Sequence, residues 1–225
     1  MKPVLAFDGI KINKVENTKY LLEMDDHFMG LKNMILDLFS LYELSTRVDK
    51  SGKIHFSASS LQPLPTFLEK CSGGMLNYDM TVTMAHQLKV FVDLAEKTQK
   101  MIPFFSLDDV LVLNKKTFLF VNFSKMVPLV QDKIKILVPI EKNKDLDFLS
   151  PEIKSVKKLP DEISYKSCYF SLGLMLIYCI FKKKYEIDKN FNFKENLPLI
   201  YFTPLYWFIV DSLKLGEDDR ALIFM

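Results

Sequence analysis

Hydrophobic positions are most concentrated over residues 168–181, where the only non-apolar members are Ser171 and Gly173, before Lys182, Lys183 and Lys184 close the run. Fourteen helical residues rise about 21 Å, short of the roughly 30 Å of a bilayer core. A helix apolar on all sides predicts the buried centre of a helical domain, with the three lysines complementing the negative end of its dipole. Elsewhere the period changes repeatedly. Residues 10–16 and 19–24 alternate, predicting a hairpin that turns at Asn17-Thr18. Phe28, Leu31, Ile35, Leu38 and Phe39 fall at helical spacing within residues 26–44, with Asp25 or Asp26 as a cap. Asp49-Lys50-Ser51-Gly52 signals a turn, residues 53–59 alternate as a strand, and Pro63 and Pro65 predict an extended linker over 59–65.

Beyond that linker, residues 66–70 predict a short helix ending near Gly73-Gly74. Met84, Leu88, Phe91, Val92 and Ala95 form the apolar stripe of a long helix over 80–99. Apolar runs at 109–113 and 117–122, divided by Asn114-Lys115-Lys116, predict a small hairpin. Residues 125–149 carry no sustained period apart from a short strand at 135–138, and helices return over 164–183 and 205–215. The sum is an α+β chain in which residues 1–62 form a small β-rich lobe and 63–225 a mainly helical one.

Composition narrows the function classes. At 225 residues and 49% hydrophobic, the chain can bury a sizeable core. Its 30 basic and 28 acidic residues leave a net charge of +2, with the lysines spread along the chain. That balance argues against a dedicated nucleic-acid surface. Asp8 interrupts the first apolar stretch, which lacks the long core of a signal peptide, and no segment reaches spanning length. The expectation is an intracellular protein, cytoplasmic or nuclear, with no membrane contact. Cys71, Cys168 and Cys179 are odd in number and irregular in spacing, so they read as small buried hydrophobes in a reducing compartment. His27, His55 and His86 are isolated, and no zinc-ligand spacing is present.

Ser150-Pro151-Glu152, followed 19 residues later by Ser171-Leu172-Gly173 in the apolar helix, resembles the back half of a eukaryotic protein kinase domain. The order of elements extends the resemblance over most of the chain, and it implies a two-lobed, protein-kinase-like fold. In that family a glutamate at the Glu152 position pairs with an arginine near the domain's end, where this chain has Arg220. The family's catalytic loop, HRDLKxxN, falls on IPFFSLDD at 102–109, which puts Phe104 at the catalytic aspartate, Ser106 at the loop lysine and Asp109 at the metal-binding asparagine. Phenylalanine cannot accept a hydroxyl proton, whereas Asp109 could bind a hard cation through oxygen. The DFG motif reads Asn122-Phe123-Ser124, making Asp109 and Asn122 the candidate metal pair.

Other working parts depart further from the family. No glycine-rich loop precedes the first hairpin. Glu23 stands where the nucleotide-binding lysine is expected, and Lys32 lies on the following helix where a glutamate is sought. These degenerate positions imply either a reversed ion pair or two unrelated surface charges. Cys168 replaces an aspartate that braces the catalytic loop, and Asp108 is the remaining candidate for a general base. In the place of the activation segment, Ser124 is the only hydroxyl residue before Ser150, and Lys125, Lys133, Lys135, Lys142 and Lys144 read as a solvated face.

The resemblance implies a pseudokinase that has lost phosphotransfer and binds or regulates a protein partner, a true kinase or signalling protein among the candidates. One alternative is a divergent, active ATP-dependent serine/threonine-type protein kinase, which leaves ATP and magnesium open as ligands. A second is an α+β interaction protein unrelated to kinases.

Overall fold

The computed structural model describes residues 3–137 and 148–224. Alternation builds the first sheet: Ile10 and Ile12 on β2 (Ile10–Lys14), Tyr20 and Leu22 on β3 (Lys19–Met24) and Ile54 and Phe56 on β5 (Ile54–Ser57) are all buried. Successive side chains on a strand point to opposite faces, so Lys11, Leu21, Glu23 and His55 lie on the other side. With β1 (Pro3–Phe7) and β4 (Thr46–Val48), the antiparallel order is β1-β2-β3-β5-β4. The helix α1 (Lys32–Leu41) covers the apolar face, where Phe39 meets Phe56 edge-on at 5.1 Å and Tyr20 stacks on Phe56 at 5.5 Å.

Several boundaries differ from expectation for local reasons. The helix expected over 26–44 opens as a 3-10 turn at Asp26–Leu31, and the chain turns out of α1 through Glu43 at φ 55°. In place of a linker at 59–65, β6 (Leu61–Pro63) pairs with β8 (Val110–Leu113), and Pro65 sits in the first turn of α2 (Leu64–Glu69). Pro63 is tolerated because β6 is the edge of a three-stranded sheet, β6-β8-β9, completed by β9 (Thr117–Phe120).

The long helix α3 (Tyr78–Lys97) begins where the Asn77 side chain accepts the Met80 N–H at 2.9 Å. It buries Met84, Ala85, Leu88, Phe91, Val92 and Ala95. Its Gln87 joins two parts of the molecule: the Gln87 carbonyl accepts from Tyr42 Oη at 2.6 Å, and its side-chain oxygen accepts the Phe118 N–H at 2.7 Å.

The stretch 125–149, expected to carry no sustained period apart from one short strand, supplies β10 (Val127–Val130) and β11 (Lys133–Ile136) to a third antiparallel sheet, β12-β11-β10-β7, completed by β7 (Lys100–Met101) and β12 (Asp161–Ser164). The strand expected at 135–138 is observed two residues earlier, and its Val138 lies outside the described residues, as do Lys142 and Lys144. After the short α4 (Pro151–Ser155), α5 (Ser167–Phe181) runs through the core as the all-round apolar pattern requires. Gly173 lets α6 (Pro204–Ser212) approach: a Cβ there would run into Ser212 Oγ and lie 2.8 Å from Leu213 Cγ. The architecture is α+β. No helix among the described residues is long and apolar enough to cross a membrane.

Candidate functional site

The β8–β9 hairpin brings the two ends of its own sequence together. Val110 pairs with Phe120, and the Val121 N–H donates to the Asp109 carbonyl at 2.9 Å, which sets Asn122 beside Asp109. A 3-10 turn at Phe123–Lys125 then folds Lys125 back over both. Asp109 is buried, and its carboxylate is fully used: Oδ1 accepts from Asn122 Nδ2 at 2.8 Å, and Oδ2 accepts from the Ser106 N–H at 2.9 Å and from Lys125 Nζ at 2.6 Å. Lys125 Nζ also lies 3.3 Å from Ser106 Oγ and 4.5 Å from the centroid of the Phe104 ring. The ammonium is thus held by a carboxylate on one side and an aromatic face on the other, each favourable in a partly desolvated setting.

The expected metal pair is therefore brought together, but as an ion pair with a lysine. Asn122 turns its amide N–H to Asp109 and its oxygen accepts from Ser124 Oγ, so each side-chain oxygen of the pair already accepts at least one hydrogen bond, and the cation beside Asp109 is Lys125. Hard divalent ions take about six or more oxygen ligands. No cluster of three or more His, Cys, Asp or Glu residues arranged to hold a metal occurs among the described residues. Phe104 is half-buried beneath Lys125 and offers no proton acceptor, while Asp108 is exposed on the same turn and joins none of these bonds.

Under this cluster lies a stack of rings. Phe91 stacks on Phe120 at 4.3 Å, and Phe105 and Phe123 meet Phe120 edge-on at 5.7 and 5.9 Å. The loop that carries Phe104 is bolted to α5 by hydroxyls: Ser171 Oγ accepts the Phe105 N–H at 2.8 Å, and Ser167 Oγ donates to the Pro103 carbonyl at 2.9 Å. Ser167 and Ser171, and not Cys168, make these bonds. Residues 167 and 171 are four apart and share a helix face, which is the signal that identifies them. Cys168 is fully buried, and burial pushes its thiol pKa far up.

Glu23 and Lys32 are not partners. Alternation puts Glu23 on the sheet face opposite Leu22, away from α1, where it pairs with Lys53 and accepts from Asn13 Nδ2 at 2.6 Å. Lys32 opens α1 on the other side of the sheet. Glu152 and Arg220, far apart in sequence, do meet: two guanidinium nitrogens bond the two carboxylate oxygens, Nη2 to Oε2 at 3.1 Å. Ser150 caps the turn that presents Glu152, accepting the Ile153 N–H at 3.4 Å, with Pro151 in the first helical position.

The sequence matches no family model, and no curated protein matches it closely enough to count as a relative.

Proposed function

We propose that the chain is a pseudokinase-type domain, with residues 1–62 as a reduced first lobe and 63–225 as a helical second lobe, which has lost phosphotransfer and acts by binding or regulating a protein partner. A kinase or another signalling protein is the partner class this reading implies. The observation that carries it is Lys125 Nζ seated 2.6 Å from Asp109 Oδ2. Phosphoryl transfer requires divalent ions bridging the phosphates and an acidic group that orients the attacking hydroxyl. At the corresponding places this chain has a carboxylate already bonded to a lysine, and a phenylalanine.

The reading is tested with the whole chain by thermal shift with ATP, alone and with Mg²⁺ or Mn²⁺, and by radiolabel transfer from ATP to generic protein substrates. The expected result is no metal-dependent stabilisation and no transfer. Metal-dependent stabilisation together with transfer that Asp109→Ala abolishes would overturn it in favour of an active kinase, with Asp108 as the remaining acid of the loop.

A further inference from the structure

Among the described residues, α1 covers one face of the first sheet and leaves the other open. On the other, cross-strand pairing sets side chains in rows: Lys11 opposite Glu23, Leu21 opposite His55, His55 opposite Arg47, and Lys19 opposite Ser57. Two hollows lie in this face. The larger, about 510 Å³, is lined by Pro3, Lys11, Asn13, Leu21, Glu23 and Lys53. The smaller, about 140 Å³, includes Lys19, Arg47, His55 and the hydroxyl residues Ser45 and Ser57. The strands and the turns that join them thus present Lys11, Lys19, Arg47 and Lys53 beside three carboxylates, Glu16, Glu23 and Asp49. Internal partners neutralise part of this charge: Glu23 holds Lys53, Glu16 holds Lys19 at 2.7 Å, and Asp49 lies 3.1 Å from His55. Lys11 and Arg47 are exposed and make no ion pair among the described residues.

We propose that this open face docks an extended acidic segment of a partner protein, laid across the strands with carboxylates on Lys11 and Arg47. Charge complementarity selects the occupant, because the two cations without internal partners flank a floor around Leu21 on which Lys19, Lys53 and His55 each meet a carboxylate. Spacing refines it. Lys11 on β2 and Arg47 on β4 are separated by three strand spacings, about 14 Å, across the sheet and by two residues, about 7 Å, along it, roughly 16 Å in all; an extended chain carries same-side residues i and i+4 about 13 Å apart, and the long Lys11 and Arg47 side chains span the difference. A single-stranded nucleic acid fits less well, since Phe56, the aromatic ring that reaches the smaller hollow, is only 2% exposed and leaves no open face on which bases could stack. The surface shares no residue with the Asp109–Lys125 cluster, so it stands or falls separately from the loss of phosphotransfer.

The test is fluorescence anisotropy with the full chain and fluorescein-labelled octaglutamate at low salt, with a labelled twelve-nucleotide oligothymidylate in parallel. Saturable peptide binding is expected, weakened about tenfold or more in Lys11→Glu/Arg47→Glu and reduced by added salt. Both positions are exposed, so the double variant should keep the wild-type circular dichroism and melting curve. Equal peptide binding by wild type and double variant would overturn the proposal, as would absence of saturable binding. Tighter binding of the oligothymidylate that is lost in the same variant would overturn it in favour of a nucleic-acid face.

Discussion

The Arg220 guanidinium is closed over by the fold and meets the Glu152 carboxylate with both terminal nitrogens, joining segments 68 residues apart; the arginine side chain is 0% exposed and the glutamate side chain 16%. Nε donates to the Lys214 carbonyl at 2.8 Å, and the guanidinium lies 4.8 Å from the Phe170 ring centroid. Removing one member of such a pair leaves the other charge buried. Arg220→Ala should therefore lower unfolding free energy by about 3–5 kcal/mol, measured by urea denaturation. Pairing it with Glu152→Leu should recover part of that loss, because no buried charge is left uncompensated. A single variant within about 0.5 kcal/mol of wild type would mean the pair is not formed in solution.

Lys125 should behave as a tethered cation. Its side chain is 21% exposed, so Lys125→Ala leaves the Asp109 carboxylate short of one donor at a cost of about 1–3 kcal/mol. The vacated space beside Asp109 should then admit a divalent ion, giving a melting temperature that rises with millimolar Mn²⁺ in Lys125→Ala but not in wild type or Lys125→Arg. If Mn²⁺ stabilises all three proteins alike, Lys125 is not what fills the cation position.

The longer helices and the β8–β9 hairpin are legible because each is a periodic or turn-bounded run long enough to declare itself, whereas the short helices at Pro151–Ser155 and Phe193–Asn196 are not. Thus Met84 to Ala95 marks α3, the unbroken apolar run around Ser171 and Gly173 marks α5, and Asn114-Lys115-Lys116 marks the hairpin turn. β4 and β6 are three residues each and sit at sheet edges, too short to show a period, and all of β4 is exposed. The site was half legible. Asp109 and Asn122 are brought together by a hairpin that the sequence predicts, but Lys125 stands in an aperiodic stretch, and nothing local separates a lysine that folds back from one in solvent. Of the two readings of Glu23 and Lys32, the reversed ion pair does not form, because alternation sets Glu23 on the face away from α1, where it meets Lys53.

The serine brace on α5 gives a paired prediction. Ser171→Ala removes the acceptor of the buried Phe105 N–H, which should cost about 1–3 kcal/mol. Cys168→Asp should be worse, because Cys168 is fully buried and the Phe105 N–H already has a partner in Ser171. A carboxylate there would be desolvated without a donor waiting for it. Urea titration of both variants decides the matter; a Cys168→Asp protein as stable as wild type would show that the position still accepts a bracing carboxylate.

Alkaline pH should destabilise the fold through its buried thiols. Burial pushes the Cys179 pKa from 9.0 up to about 12 and raises that of Cys168 further, while Cys71, only partly buried, is raised less. A group whose pKa is higher in the folded state holds its proton there after the unfolded chain has lost it. Below about pH 8.5 both states are protonated and the thiols leave stability independent of pH. As pH rises from about 9 toward 12, the unfolded state releases protons that the native state keeps, and unfolding free energy should fall by about 1.4 kcal/mol per pH unit for each fully buried thiol. Urea denaturation of wild type and Cys179→Ala between pH 8 and 11 measures this, the variant showing the shallower decline. Thiol labelling at pH 8 gives an independent reading: Cys71 should react in the native protein, and Cys168 and Cys179 only as fast as the fold opens. Rapid modification of all three thiols without urea would show that α5 does not stay buried in solution.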